Sequence, residues 1–199
     1  FELGIDHLGE MDVHLEIVNP HISVITGITS VHSDDEHLKS VDNTIIEKRR
    51  VIEVLKPGDY AVLNRDDPYV QTMAEHTKAT VIWYGSTPDC DVRVYDVQCS
   101  LNGLTFRVAG RNAEYRITSS LLGRHNASNL AAAVAVAEIV GIDKCEMEQA
   151  IAGISPLSGR LNVESGPHGL ILVNDSLRAN PASTKAGLDF IGELDVAGN

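Results

Sequence analysis

The chain reads as an α/β protein: a mostly parallel nucleotide-binding sheet flanked by helices, a smaller antiparallel subsheet, and the beginning of a second α/β domain. Three observations predict this. Between Ile22 and Tyr84, short β-branched runs alternate with helix-period segments, the pattern of parallel strands joined by crossover helices. After Pro88 the texture changes to Val92, Val94 and Val97, then Leu104, Phe106 and Val108, then Tyr115 and Ile117, with Asn102-Gly103 and Gly110-Arg111-Asn112 between them, which predicts an antiparallel meander. Beyond Ser155-Pro156-Leu157-Ser158-Gly159, the one loop composed like a domain boundary, the remaining piece is too short to bury a core alone. The predicted division is 1–157 and 158–199.

Taken in order, Phe1 to Leu3 reads as the tail of a buried strand, and Met11 to Val18 as a short helix stopped by Asn19-Pro20. Ile22 to Thr26 is nearly all β-branched, as expected of a strand buried on both faces. Leu38 to Leu55 is helical, with Val41, Ile45, Ile46, Ile52 and Leu55 available for one face and Pro57-Gly58 as its stop. Tyr60 to Asn64 and Thr80 to Tyr84 are strands around a helix at Asp67 to His76. After the meander, Gly123 to Asn129 opens a helix with polar residues crowding its first turn. Leu130, Ala133, Val134 and Ala137 form its apolar face, and Gly141 closes it. A second helix spans Cys145 to Ile154. Leu161 to Ser165 and Leu170 to Val173 are strand-like, and Ala182 to Ile191 is helical.

With 16 basic against 28 acidic residues, the net charge of −12 excludes a non-specific nucleic-acid surface. Cys90, Cys99 and Cys145 have neither disulfide-framework nor zinc-site spacing, so reduced thiols and a cytoplasmic location are expected. No run of eighteen apolar residues predicts a membrane segment. The first residue is Phe rather than Met, as in a fragment of a longer protein.

In an open parallel sheet the ligand crevice lies beyond the carboxyl ends of the strands. Glu2, Thr26 to His32, and Asn64-Arg65-Asp66-Asp67 all fall there. Taken one by one, Glu2 reads as solvated, His32 as a loop histidine, Lys48 as a surface lysine, and Asp67 as a helix cap. At the start of the helix opened by Gly123, two carboxamides and an imidazole either hydrogen-bond a flat heterocycle or satisfy the free N–H groups of the first turn.

The run Gly123-Arg124-His125-Asn126-x-x-Asn129-x-x-Ala132-Ala133 resembles the adenine-contacting helix of the Mur ligases, ATP-dependent amide-forming enzymes of cell-wall precursor synthesis. The resemblance runs from Glu2 to about Leu188. It implies ATP contacts from His125, Asn126 and Asn129, and polar groups approaching the nucleotide from Asn64-x-Asp66-Asp67. Phosphate or ribose would be reached by Arg160, in Ser158-Gly159-Arg160. Glu2 and His32 would bind Mg2+, although Gly27 stands where the family usually has Asn. Lys48 matches the lysine whose carbamylated form helps position Mg2+ near the transferred phosphate, with a His32-to-Lys48 spacing slightly longer than the commonest family pattern, which leaves Arg49 or a register shift open.

Asn174-Asp175-Ser176 through Asn180-Pro181-Ala182-Ser183 resembles the branch that adds D-alanyl-D-alanine to a UDP-N-acetylmuramoyl tripeptide, with Asp175 at the nucleotide and with Leu177 and Arg178 departing from the pattern. Other Mur enzymes, folylpolyglutamate synthases and a catalytically silent partner-binding relative are the rival readings. No Gly-x-x-x-x-Gly-Lys-Ser/Thr loop occurs in the chain, so a phosphate loop is expected upstream of Phe1 or not at all.

Overall fold

The computed structural model describes residues 1–29, 37–177 and 179–194. The chain divides into two compact units, Phe1–Val92 and Arg93–Asn199.

In the first unit, α1 (Glu10–Ile17), β1 (Ile22–Ile25), α2 (Val41–Glu53), β2 (Tyr60–Asn64), α3 (Pro68–Gln71) and β3 (Thr80–Gly85) follow one another, with a single 3-10 turn at Ala74–His76. The strands lie side by side in the order β1-β2-β3, both pairs parallel, with Ile25 opposite Leu63 and Leu63 opposite Trp83. That register brings the carboxyl ends of all three strands to one edge. Ile25, Ala61 and Leu63 pack against Ile52 and Leu55 from the α2 side and Val70 and Met73 from the α3 side. Ala61, Val62 and Leu63 are all buried, which is the two-sided burial of a central parallel strand.

In this unit four expectations are corrected. Phe1 to Leu3 forms no strand, and Phe1 is fully exposed, because no neighbouring strand pairs with it among the described residues. β1 is buried on one face only: Ser23 and Ile25 point inward and Val24 is exposed. Ile46 is exposed, because the inward face of α2 runs through Thr44, Glu47 and Ile52. The helix expected at Asp67 to His76 breaks into α3 and the 3-10 turn, with the Thr72 hydroxyl donating to the Tyr69 carbonyl where the helix stops.

Glu47 explains the altered face of α2. Its side chain is 1% exposed, yet Oε1 accepts the backbone N–H of Gly9 at 2.9 Å and of Met11 at 2.8 Å, while Oε2 lies 3.7 Å from Nε of Arg50. Gly9, the residue that opens α1, has no side chain to cap that helix, so a carboxylate from α2 does so. The Arg50 guanidinium reaches on to both oxygens of Asp12, tying α1 to α2 a second time.

In the second unit, β4 (Val92–Ser100), which begins at the division, β5 (Gly103–Ala109) and β6 (Glu114–Ser119) form the expected antiparallel meander, followed by α4 (Arg124–Val140) and α5 (Lys144–Ala152). The hairpin β7 (Asn162–Ser165) and β8 (Ile171–Asn174) and the helix α6 (Pro181–Glu193) complete it. On α4, Leu130, Val134 and Ala137 are buried as expected, but Ala133 is exposed. The buried arc is displaced and wide, taking in Ala127, Ala131, Ala132, Ala135 and Glu138. Glu138 repeats the role of Glu47: it accepts the N–H groups of Arg111 and Asn112 and the Tyr115 hydroxyl, fastening the β5–β6 turn to the helix. Burial first, and this hydrogen bond second, push the Tyr115 phenol well above its usual range.

Replacing Glu47 by Ala leaves the buried Met11 N–H and the partly buried Gly9 N–H without an acceptor, and about 1–3 kcal/mol is lost for a buried group so orphaned. Denaturant unfolding of Glu47→Ala should therefore show a loss of about 2 kcal/mol or more, with Glu47→Gln, which keeps one acceptor oxygen in place, losing clearly less. Equal stability of Glu47→Ala and the parent would contradict this capping role.

Candidate functional site

Two clusters of candidate residues emerge, one in each unit. The first lies at the carboxyl edge of β1-β2-β3. The Asn64 carboxamide donates to the Thr26 carbonyl at 2.7 Å and accepts the Asp66 N–H at 2.9 Å, so it bridges the ends of β1 and β2. Asp67 caps α3 with Oδ1, accepting from Tyr69 and Val70, while Oδ2 accepts the Ile28 N–H at 2.7 Å. Asp66 accepts the backbone N–H and the hydroxyl of Ser86 beyond β3. One Asn-x-Asp-Asp segment thus holds all three strand-end loops together, and the cap expected of Asp67 is present. Gly27, where the family resemblance calls for Asn, gives Asp67 its room: a Cβ there would stand 3.2 Å from Asp67 Oδ2.

Lys48, on the neighbouring α2, is half-buried and has no hydrogen bond or ion pair among the described residues. Burial lowers its proton affinity and the Asp67 charge opposes that shift. Glu2 is exposed and outside any regular element. His32 lies outside the described residues. Among the described residues, no group of three or more His, Cys, Asp or Glu is gathered to hold a metal ion.

The second cluster is built around the start of α4. Gly123 opens the helix at φ 84°, where an L side chain is strained, and a Cβ there would meet the His125 ring at 2.7 Å. Glycine is therefore required twice, for the backbone angle and for the ring. No side chain accepts the first-turn N–H groups of this helix. In α2, α3, α5 and α6 the corresponding groups are taken by Ser40, Asp67, Asp143 and Asn180, and in α1 by Glu47. Among the described α-helices, α4 alone lacks a side-chain cap at its start, and of its first-turn N–H groups that of Asn126 donates to the Gly123 carbonyl at 3.0 Å. The carboxamides do not cap it: Asn126 Nδ2 donates to the Leu122 carbonyl at 2.7 Å, and Asn129 Nδ2 lies 3.4 Å from Asn126 Oδ1.

The His125 ring keeps an exposed surface, yet the atoms packed around it lower its pKa, against the partial opposition of Asp175. A neutral ring suits its contact, since Nε2 lies 3.3 Å from the Asn126 amide nitrogen, which is a donor.

Asp175 itself accepts the Leu161 N–H at 3.1 Å, and Gly187 of α6 leaves it space, a Cβ at that position standing 3.1 Å from Oδ2. Arg160 is exposed, and its side chain has no ion pair among the described residues. Asn180 and Ser183 form a reciprocal capping box with Pro181 in the first turn, so those members of the 174–183 motif start α6. The sequence reading placed Gly123 at the head of the motif without giving it a role, and missed Gly187. A glycine immediately before a polar helix start was the available signal for Gly123; nothing local marks Gly187.

Residues 1–137 match the Mur ligase middle domain, and the chain belongs to the Mur ligase family. It is similar to the UDP-N-acetylmuramoyl-tripeptide–D-alanyl-D-alanine ligase of Bacillus subtilis (strain 168), 29% identical over 197 residues, covering 99% of this chain and 42% of that protein. It is also similar to the UDP-N-acetylmuramoylalanine–D-glutamate ligase of Solibacter usitatus (strain Ellin6076), 30% identical over 177 residues, covering 88% of this chain and 38% of that one. The chain therefore spans about two fifths of the length of these relatives. The fold is shared with the MurF ligase of Thermotoga maritima, solved in complex with ADP, at a TM-score of 0.83 and 18% identity, covering 96% of this chain and 44% of that one.

Because the folded pKa of His125 lies below its ordinary value of 6.5, the unfolded chain takes up this proton first as the pH falls. Stability linked to His125 is thus complete above about pH 6.5 and is lost as the pH drops from there toward the folded pKa. Urea unfolding at pH 7.5 and 5.5 should show the parent losing more stability on acidification than His125→Gln. An equal loss in both would contradict the depressed pKa.

Proposed function

We propose that the full-length protein containing this chain is an ATP-dependent amide-bond ligase of peptidoglycan precursor synthesis that joins D-alanyl-D-alanine to a UDP-N-acetylmuramoyl tripeptide in the cytoplasm. The observation that carries the nucleotide part of this reading is the open start of α4, fronted by His125, Asn126 and Asn129. An adenine presents ring nitrogens that accept and an amino group that donates. The N–H groups of Arg124 and His125, which no side chain caps, and the carboxamides offer the complementary set.

The reaction proceeds in two displacements. A substrate carboxylate oxygen attacks the γ-phosphorus of ATP and ADP leaves, giving an acyl phosphate; the free amine then attacks the acyl carbon and phosphate leaves. The protein's part is to position the reactants and to stabilise charge. His125, Asn126 and Asn129 hold the adenine. Arg160, exposed and without an ion-pair partner among the described residues, reaches phosphate or ribose, and Asp175 meets the nucleotide from residues 158–199, the start of the C-terminal domain. Asn64 acts through the loops it binds together, since both ends of its carboxamide are engaged there.

Mg2+ is the metal that such chemistry calls for, and it keeps waters and substrate phosphates among its ligands. The described residues do not assemble a site by themselves, as the oxygens of Asp66 and Asp67 are already engaged with Ser86 and with backbone N–H groups. Glu2 and His32 are the proposed protein ligands. Lys48, whose burial favours the neutral amine that reacts with carbon dioxide, is the proposed carbamate.

The choice of amine rests on Asp175, Ser176 and Ala179 of the 174–183 segment, because Asn180, Pro181 and Ser183 are accounted for by the helix start. Phosphate release by the full-length protein, with the matching UDP-linked acceptor and each candidate amine in turn, decides it. Turnover is expected with D-alanyl-D-alanine. Turnover with D-glutamate alone would overturn the amine while keeping the ligase. In the same assay Lys48→Ala should lose most activity, and added short carboxylic acids should restore part of it by supplying the missing anion. Full activity of Lys48→Ala would remove the carbamate.

A further inference from the structure

The hairpin β7–β8 carries a polar network that the proposed reaction does not use directly. Asn162 and Asn174 are directly opposed across the two strands, and both donate their side-chain amides to one oxygen, Oε1 of Glu164, at 2.9 and 2.8 Å. The other end of each carboxamide reaches into a loop. Asn162 Oδ1 accepts the Gly159 N–H at 2.6 Å, and Asn174 Oδ1 accepts the Ser176 N–H at 3.2 Å and its hydroxyl at 2.8 Å. The two loops are also joined to each other. The Leu177 N–H donates to the Gly159 carbonyl at 2.8 Å, and the Leu161 N–H donates to Asp175. Gly159 sits at φ 76°, where an L side chain is strained, and a Cβ on it would meet Leu177 Cβ at 3.1 Å, a tight contact, so both the backbone and the close approach of the loops favour glycine.

Glu164 is therefore the single acceptor from which two chains of hydrogen bonds run, one to the loop that carries Arg160 and one to the loop that carries Asp175. We propose that Glu164 is a positioning residue which, through Asn162 and Asn174, sets the Gly159-Arg160 and Asp175-Ser176 segments in the relative placement needed to engage ATP. The proposal rests on the nucleotide roles given above to Arg160 and Asp175.

The geometry makes a specific demand on Glu164. Among the described residues only Oε1 is used, and it is used as an acceptor, so a carboxamide oxygen in the same place can serve both asparagines, whereas Ala removes the acceptor and frees both side chains to turn. Amide donors to an ionised carboxylate form stronger hydrogen bonds than those to a neutral oxygen, so Gln restores the network in part. The same two amides hold the Glu164 carboxyl below the usual carboxylate range, and the network persists at neutral pH.

The test has two readouts in the full-length protein. Amide hydrogen exchange at Gly159 and Ser176 reports the network whether or not the protein turns over ATP. It should quicken in Glu164→Ala and much less in Glu164→Gln. Steady-state phosphate release should show the KM for ATP raised about tenfold in Glu164→Ala, the scale of one hydrogen bond, with kcat less affected and KM for the amine unchanged. Glu164→Gln should recover most of that loss. Faster exchange with an unchanged KM for ATP would overturn the positioning role, as would unchanged exchange in Glu164→Ala. Absence of ATP turnover in the parent protein would instead remove the ligase reading and leave the exchange result standing on its own.

Discussion

Loop and helix-start N–H groups without backbone partners are the constraint that most of this structure answers, and it answers them with carboxylates. Glu47 takes those of Gly9 and Met11, Glu138 those of Arg111 and Asn112, Asp67 that of Ile28, Asp66 that of Ser86, and Asp175 that of Leu161. A buried N–H group left unpaired is costly, and a carboxylate can accept from several at once. The acidic excess of the chain is thus partly internal wiring. It fixes the loops at the strand ends without requiring regular structure there.

Against that background the start of α4 stands apart. Every other described α-helix has its opening N–H groups accepted by a side chain. At α4 the polar side chains that are present turn instead to the Leu122 carbonyl and to one another. Gly123 enforces the arrangement, since its backbone angle and its contact with the His125 ring both exclude a side chain. Helix α4 is anchored from below by its wide buried face, including Glu138. Its polar end is thereby held in place by the packed face beneath and by the Asn126–Leu122 hydrogen bond, the kind of support that recognition of a flat heterocycle needs.

The order of strands and helices was legible because β-branched runs, helical periodicity and Gly/Pro stops act locally. Tyr60–Asn64 is the clearest case. The last helix was legible from Ala182 on, and its true start carries a local signal that went unread, the capping residues Asn180, Pro181 and Ser183. What escaped the sequence depends on partners far along the chain. Glu47 reads as one more charge on a charged helix until Gly9, 38 residues away, supplies an N–H group. Ile46 reads as core and is exposed for the same reason, the inward face having been claimed by Glu47. Phe1 to Leu3 shows the other failure: strand propensity without a neighbouring strand makes no strand. At the site, the identities of His125, Asn126 and Asn129 were readable, but their bonding was not. That carboxamides beside a helix start leave it uncapped follows only from the position of the Leu122 carbonyl.

The account stands or falls on whether the open start of α4 recognises adenine. Calorimetric titration of the full-length protein with ATP, for the parent and for Asn126→Ala, measures this directly, with the melting temperature of each taken alongside. An affinity loss of about 1–3 kcal/mol is expected, the range for leaving a ligand hydrogen bond unpaired, beyond the drop in melting temperature that follows from freeing the Leu122 carbonyl. Unchanged ATP affinity together with a lowered melting temperature would contradict it, and would make Asn126 a structural brace for the Leu122 turn.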